Sequence, residues 1–327
     1  MEQKKAFVNM VQCYFVKDEK AMCMFHLENL ESYFSGHVYG SYLSLYKDVF
    51  YKSVEGEVIR EETPRGCISS RSGQLVVRGH KENIYYIDFM TVMRGVEDKK
   101  IQREMFETHI YKTGLVEWKE LVVEPIRVWM FKQMGDLPGI VPMIRFMTSV
   151  YEIPNNPGFF EMGAKYPEHV VLVEIDKGNI RKMTDGLELA RSKFSIFGIT
   201  DVANLAGLVK SGVLYVYILE RMGEIVSMYF FRDTRLCLED EGSILELVGS
   251  VVLQGSTLLF RGGFLGAMGR IVKKNGVYKR LRVDNITDNG LLDWREWYCM
   301  GEERGAYYLF NMVVPFTGSA GDVFIMF

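Results

Sequence analysis

The last six residues, Asp322-Val323-Phe324-Ile325-Met326-Phe327, are apolar from Val323 to the final position. Chain ends are ordinarily polar and frayed, so this terminus predicts a buried last strand that carries its α-carboxylate into the structure. A desolvated carboxylate is a stronger base than one in water, which suits removal of a proton from a bound amine. A plain edge strand accounts for the same residues. A second candidate is Arg94-Gly95-Val96-Glu97-Asp98-Lys99-Lys100, where a strand pattern gives way to a helical one. Backbone amides at such a junction can hold an anion, and Lys99 and Lys100 add charge. Glu97 and Asp98 oppose an anion, and a solvated charged turn is the alternative. Asp284 stands where Arg282-Val283-Asp284-Asn285 passes from strand to loop. Its carboxylate could receive an amine or form the turn.

Other chemistries find less support. His26, His37, His80, His109 and His169 show neither metal-ligand spacing nor a nucleophile beside them, although His109 falls on the helix after the anion-holding turn. The five cysteines, Cys13, Cys23, Cys67, Cys237 and Cys299, are odd in number and form no CxxC pair, so neither a disulfide framework nor a zinc site is predicted. Gly263, Gly266 and Gly269 are spaced for one helix face and close packing, not for a dinucleotide loop.

The elements that must position these groups read as two mixed α/β halves. A turn-rich segment, Ile153-Pro154-Asn155-Asn156-Pro157-Gly158, separates them and divides the chain into 1–157 and 158–327. In the first half, a helix passes through Phe7, Met10 and Val11. Strands are predicted at 66–69, 74–78 and 84–92, antiparallel and joined through 78–83, followed by a helix over about 101–110 that Asp98 caps. The second half has a hairpin of 213–218 and 225–231 around Arg221-Met222-Gly223-Glu224, a strand at 247–252, and a helix over about 256–274. Strands around 278–283 and 307–310 complete it.

Composition fits this reading. The 327 residues are 48% hydrophobic, enough for two cores, and 39 basic against 42 acidic side chains leave a net charge of -3, which argues against nucleic acid as a partner. No apolar stretch approaches the roughly 20 residues of a membrane helix. The start lacks a signal-peptide core, so a cytoplasmic protein is expected.

Taken in order, the segments resemble the N-myristoyltransferase family. The resemblance runs through Val16-Lys17-Asp18-Glu19 and Phe25, Gly66-Cys67-Ile68-Ser69, Ile87-Asp88-Phe89-Met90, Leu137-Pro138, Val141, Arg145 and Phe146. It continues in Gly223-Glu224 with Phe231, Val283-Asp284, Gly301, Tyr307-Tyr308-Leu309-Phe310-Asn311, Pro315 and Gly318. No single motif is specific; their order and the distance from the tyrosines to the chain end carry the likeness.

The resemblance implies an α/β fold of two fused acetyltransferase-like domains in a pseudo-twofold relation, 1–157 mainly for acyl-CoA and 158–327 mainly for peptide. It implies a monomeric enzyme that moves myristate from myristoyl-CoA, a co-substrate, to the amino-terminal glycine of protein substrates. No permanently bound cofactor and no metal are implied. The backbone amides of Phe89 and Met90 would form the oxyanion hole, and the α-carboxylate of Phe327 would be the base. Lys99, Lys100 and Ile101 would meet the CoA phosphates. Asp18, Phe25, Lys132, Phe231, Asp284 and Gly301 would line the peptide side. The chain departs from the family pattern at Glu97-Asp98, where the family has Arg-Ser, and at Lys132, where it has threonine. It also lacks the family's amino-terminal aromatic-basic segment and carries an apparent loop insertion between Tyr51 and Pro64; such compaction points to a viral or parasite lineage. The alternatives are a non-catalytic acyl- or peptide-binding descendant and an acyltransferase with another donor or amine acceptor.

Overall fold

The computed structural model describes residues 2–16, 21–54, 57–95, 98–120, 125–135, 137, 139–164, 166–238, 242–314 and 318–327. Lys17, Asp18, Glu19, Lys20, Val96, Glu97, Pro138 and Pro315 lie outside the described residues, as does the side chain of Asp98.

Helix α1 (Glu2–Tyr14) buries Phe7, Val8, Met10 and Val11, which share one helical face. Strand β1 (Ala21–Cys23) and helix α2 (Leu27–Phe34) lead to β2 (Tyr42–Val54) and β3 (Glu57–Val77). The segment expected as a loop insertion after Tyr51 is instead a two-stranded ribbon, with Tyr51 opposite Arg60 and Lys47 opposite Pro64. The strands expected at 66–69 and 74–78 are both parts of β3. Ser69-Ser70-Arg71-Ser72 breaks the apolar pattern between them, yet all four residues are buried in the strand. Strand β4 (His80–Val92) follows a tighter turn than expected, Arg78-Gly79 alone. Both residues have positive φ, 48° and 86°, the backbone twist that a two-residue hairpin requires. Helix α3 (Asp98–Glu120) is longer than expected at both ends and is followed by β5 (Val128–Met134) and β6 (Ile144–Glu152).

The second half begins with α4 (Pro157–Gly163), β7 (Val170–Glu174), α5 (Ile180–Arg191), β8 (Ile196–Thr200) and α6 (Val202–Lys210). The expected hairpin is β9 (Leu214–Arg221) with β10 (Glu224–Leu238). Then come β11 (Gly242–Val252), α7 (Thr257–Lys274), β12 (Tyr278–Asp284), β13 (Cys299–Phe310) and β14 (Val323–Met326). The Ser256 hydroxyl accepts the Leu259 amide and so caps α7. On this helix the glycines make room: a Cβ at Gly263 would collide with the anchored Tyr229 hydroxyl, and one at Gly266 with that of Tyr166.

Among the described residues the strands form one sheet in the order β14-β8-β3-β4-β5-β13-β6-β12-β11-β10-β9-β7, with β2 on β3 and β1 on β10. Two parallel pairs, β4 with β5 and β11 with β12, are each joined by one long helix, α3 and α7. Strands cross between the halves. β13 adds to β5 and β8 to β3, while β6 adds to β12 and β1 to β10. The result is one mixed α/β sheet in which strands from the two halves of the sequence interleave. Among the described residues no helix is long and apolar enough to cross a membrane.

Candidate active site

Strand β4 changes course at the segment expected to bear the oxyanion hole. Cys67 faces Thr91 and Ser69 faces Asp88, so Ile68 alone opposes Phe89 and Met90, which makes a β-bulge. Phe89 takes φ of 51°, a conformation that costs a bulky residue about 1–3 kcal/mol. Aromatic packing holds it there: the Phe89 ring lies 4.8 Å from Phe25, 5.3 Å from Phe15 and 5.6 Å from Tyr33. The Cys67 thiol donates to the Phe89 carbonyl at 3.6 Å. Pairing between parallel β4 and β5 ends at Ile87 and Phe131, although β4 runs on to Val92 and β5 to Met134. The two strands therefore part at the bulge, and Met90 is exposed there.

The chain end is buried, as its apolar sequence predicts. β14 lies parallel to β8, every residue of Val323–Met326 is buried, and Phe327 is 6% exposed. The Phe327 ring stacks on Tyr86 with centroids 5.0 Å apart and planes at 9°. It rests on a floor of two glycines. A Cβ at Gly198 would stand 3.0 Å from its Cε2, and one at Gly73 would collide with the ring. Arg232 Nη1 donates to the Phe327 main-chain O at 2.5 Å. Beside it, Thr200, Leu205, Leu208, Leu214, Val248 and Met326 line a small, mostly apolar cavity with Arg232 and Phe327.

Arg232 belongs to a charge ladder across three strands. Glu246 on β11 is in register with Arg232 on β10 and with Arg282 on β12. Arg232 Nη2 reaches Glu246 Oε2 at 2.5 Å, and Arg282 Nη2 reaches Glu246 Oε1 at 2.7 Å. Lys132 Nζ bonds Asp284 Oδ2 at 2.5 Å and stands 3.6 Å from Glu246 Oε1, and the Thr148 hydroxyl donates to Asp284 Oδ1 at 2.7 Å. Burial opposes ionisation of Glu246, but Arg232, Arg282 and Lys132 hold its carboxyl well below the usual range. Burial opposes a charged Arg232 too, and Glu246 more than compensates, raising it well above its ordinary value. Three cations, Arg232, Arg282 and Lys132, thus face Glu246 and Asp284, and Arg232 also holds the Phe327 main-chain oxygen.

The expected site residues fall into distinct places. Phe25 and Phe89 share an aromatic cluster; Lys132 and Asp284 share an ion pair; Phe327 joins that pair through Arg232 and Glu246. Phe231 is fully buried and stacked on Phe264 of α7. Lys99 and Lys100 are exposed at the start of α3, and half-buried Ile101 packs into the core beneath it. Gly301 is exposed at a bulge in β13 with open space where a side chain would be. Asp18 lies outside the described residues. Sequence reasoning missed Arg71, Arg232, Glu246 and Arg282. Their signal was a charge inside an otherwise apolar strand, as in Leu245-Glu246-Leu247, which burial permits only when the charge is paired.

His109 has a structural environment. Its ring nitrogens bond the Ser44 and Ser70 hydroxyls at 2.8 and 2.9 Å, and burial pushes its pKa down from 6.5 to about 4. Folding therefore excludes a proton that the unfolded chain takes up below about pH 6.5. Stability should fall by roughly 3 kcal/mol between pH 6.5 and 4, a loss absent above that window. Urea denaturation across this range should show a shallower slope for His109→Gln; an equal slope would contradict the assignment. Among the described residues no group of three or more His, Cys, Asp or Glu side chains is placed to hold a metal ion.

No protein-family model matches the chain, and no curated protein matches it. Solved structures do. Saccharomyces cerevisiae N-myristoyltransferase with bound myristoyl-CoA is similar with a TM-score of 0.71 at 12% identity, over 99% of this chain and 86% of that one. A second structure of that enzyme with myristoyl-CoA gives a TM-score of 0.69 at 13% identity, over 96% and 77%. At these identities the likeness is one of fold.

Proposed function

We propose that this protein transfers a fatty acyl group, myristoyl in the first instance, from its CoA thioester to the amino-terminal glycine of a peptide. The observation that carries the reading is the bulge at Phe89, which turns the strand at the point where parallel β4 and β5 part. The Phe89 and Met90 amides would receive the thioester oxygen as it becomes an oxyanion, fixed dipoles that need little rearrangement. The Phe327 α-carboxylate would take a proton from the glycine ammonium, whose ordinary pKa is about 7.7–8.0. The freed amine attacks the thioester carbon, a tetrahedral intermediate forms, and collapse breaks the C–S bond and expels the CoA thiolate, which takes up the second amine proton and leaves as the thiol.

In this reading residues 1–157 mainly serve the donor and 158–327 the acceptor. Lys99, Lys100 and Ile101 meet the CoA phosphates, and Asp18, Lys132, Asp284 and Gly301 face the peptide. Phe25 and Phe231 act from within the cores, Phe25 by fixing Phe89. The internal pairing of the chain end with Arg232 favours a second reading, a descendant that binds acylated or acyl-CoA ligands without turnover.

Donor binding is testable apart from turnover. Calorimetric titration should show myristoyl-CoA binding more tightly than CoA alone, and Lys99→Glu with Lys100→Glu should weaken it by about tenfold or more at low salt. Absence of binding would remove the transferase reading and the acyl-CoA form of the second, and an unchanged affinity in the double variant would remove the phosphate assignment.

A further inference from the structure

The amide on which the proposed chemistry depends already has a partner. Asp88 Oδ1 accepts the Phe89 N–H at 2.9 Å, and Asp88 Oδ2 lies 3.5 Å from Arg71 Nη2, a long contact. Arg71 is 0% exposed and lies over the rings of Tyr33 at 5.0 Å and Tyr86 at 5.7 Å. Among the described residues its Nε and Nη1 have no hydrogen-bond partner. A buried guanidinium with two unused donors is costly, and a carboxylate is the acceptor that its planar fork fits best. One carboxylate therefore has two competing partners. Turned toward Phe89, it fills the amide and leaves Arg71 under-satisfied. Turned toward Arg71, it could form a two-bond pair and would leave the Phe89 amide open.

We propose that Asp88 and Arg71 form a latch on the Phe89 amide, in which an entering acyl thioester carbonyl displaces the Asp88 carboxylate onto Arg71. The inference rests on the acyl-transfer reading, and both residues are positioning residues. A neutral carbonyl is a weaker acceptor than a carboxylate and could not displace it unaided. The unused donors of Arg71 offset that difference by giving Asp88 a second place to go. As the thioester oxygen becomes an oxyanion, its claim on the amide strengthens, and the displaced state is favoured further.

The test uses the full chain and myristoyl-CoA carrying 13C at the thioester carbonyl. In the wild type, binding should move the infrared carbonyl band to lower frequency. Arg71→Met removes the second place for Asp88, so the band should stay near its free position and kcat should fall by about 10²-fold, the loss expected for one oxyanion donor. Arg71→Met with Asp88→Ala should restore the band shift and most of kcat, which a purely structural Arg71 would not produce. Should Arg71→Met fail to fold, Asp88→Ala alone decides: in the free protein the Phe89 15N–1H resonance should move upfield as its hydrogen bond is lost. A wild-type band shift and kcat in Arg71→Met, or an unmoved Phe89 resonance in Asp88→Ala, would overturn the latch while leaving acyl transfer standing. Failure of the wild type to bind myristoyl-CoA would overturn the acyl-transfer reading and the latch together.

Discussion

Extending the chain by one glycine beyond Phe327 should lower kcat for acyl transfer by about 10²–10⁴-fold, the contribution of a well-placed general base, with acyl-CoA affinity within about threefold of the wild type. The extension turns the α-carboxylate into a neutral peptide carbonyl, which cannot take an ammonium proton. The new terminal carboxylate cannot reach the old position by a small shift. The Phe327 ring is stacked on Tyr86 and seated on Gly73 and Gly198, which fixes the last Cα against the sheet. Arg232, which donates to the Phe327 main-chain O, would then face a neutral carbonyl there while keeping Glu246. Single-turnover transfer with pre-bound acyl-CoA measures the chemical step apart from donor binding. Phe327→Leu, which keeps the carboxylate and loosens its seat, should retain more activity than the extended chain. Equal activity in the extended and native chains would remove the terminal carboxylate from the mechanism.

The Glu246→Gln substitution should cost about 3–5 kcal/mol of stability near neutral pH, the range for breaking a buried charge pair by removing one partner. Glu246 is 1% exposed and each of its oxygens is taken by a different guanidinium, with Lys132 nearby. The amide keeps the shape and removes the charge, so Arg232, Arg282 and Lys132 would be left with Asp284 as the one carboxylate of this network. Because the folded carboxyl is held well below its ordinary value of 4.5, its contribution is present above about pH 4.5 and is lost as acid protonates the folded state. Urea denaturation of Glu246→Gln, alone and with Arg282→Met, measures the effect. The second substitution should recover part of the loss by removing one uncompensated cation. A single-variant change below about 1 kcal/mol would mean that the network is exposed and weakly coupled.

Local patterns made much of the fold legible. The helix expected over about 256–274 is α7 to within one residue, Arg221-Met222-Gly223-Glu224 marked the β9–β10 turn, and the apolar end marked a buried last strand. What escaped was non-local. Serines and an arginine in the middle of β3 broke its apolar pattern, and the serines are satisfied from other elements: Ser70 meets His109 and Ser72 meets Asp201. The Lys132–Asp284 pair joins residues 152 positions apart, and the Arg232–Glu246–Arg282 ladder exists only once three strands are in register. Positive φ at Phe89 has no local signature either, since phenylalanine is a poor choice for that conformation and its ring packing pays for the strain. The candidate site residues came from the order of motifs along the chain. Spacing alone left a carboxylate at Phe327 and an anion-binding turn at Lys99 and Lys100 as open alternatives.

Acyl transfer itself is the most direct test. Purified protein would be mixed with radiolabelled myristoyl-CoA and a peptide beginning with glycine, with the same peptide acetylated at its amino terminus as a control. The expected result is label in the free-glycine peptide through an amide bond, none in the acetylated peptide, and release of one CoA thiol for each acyl group transferred. Tight binding of myristoyl-CoA with no label passing to the glycine amine would contradict the account and leave the protein as an acyl-CoA binder.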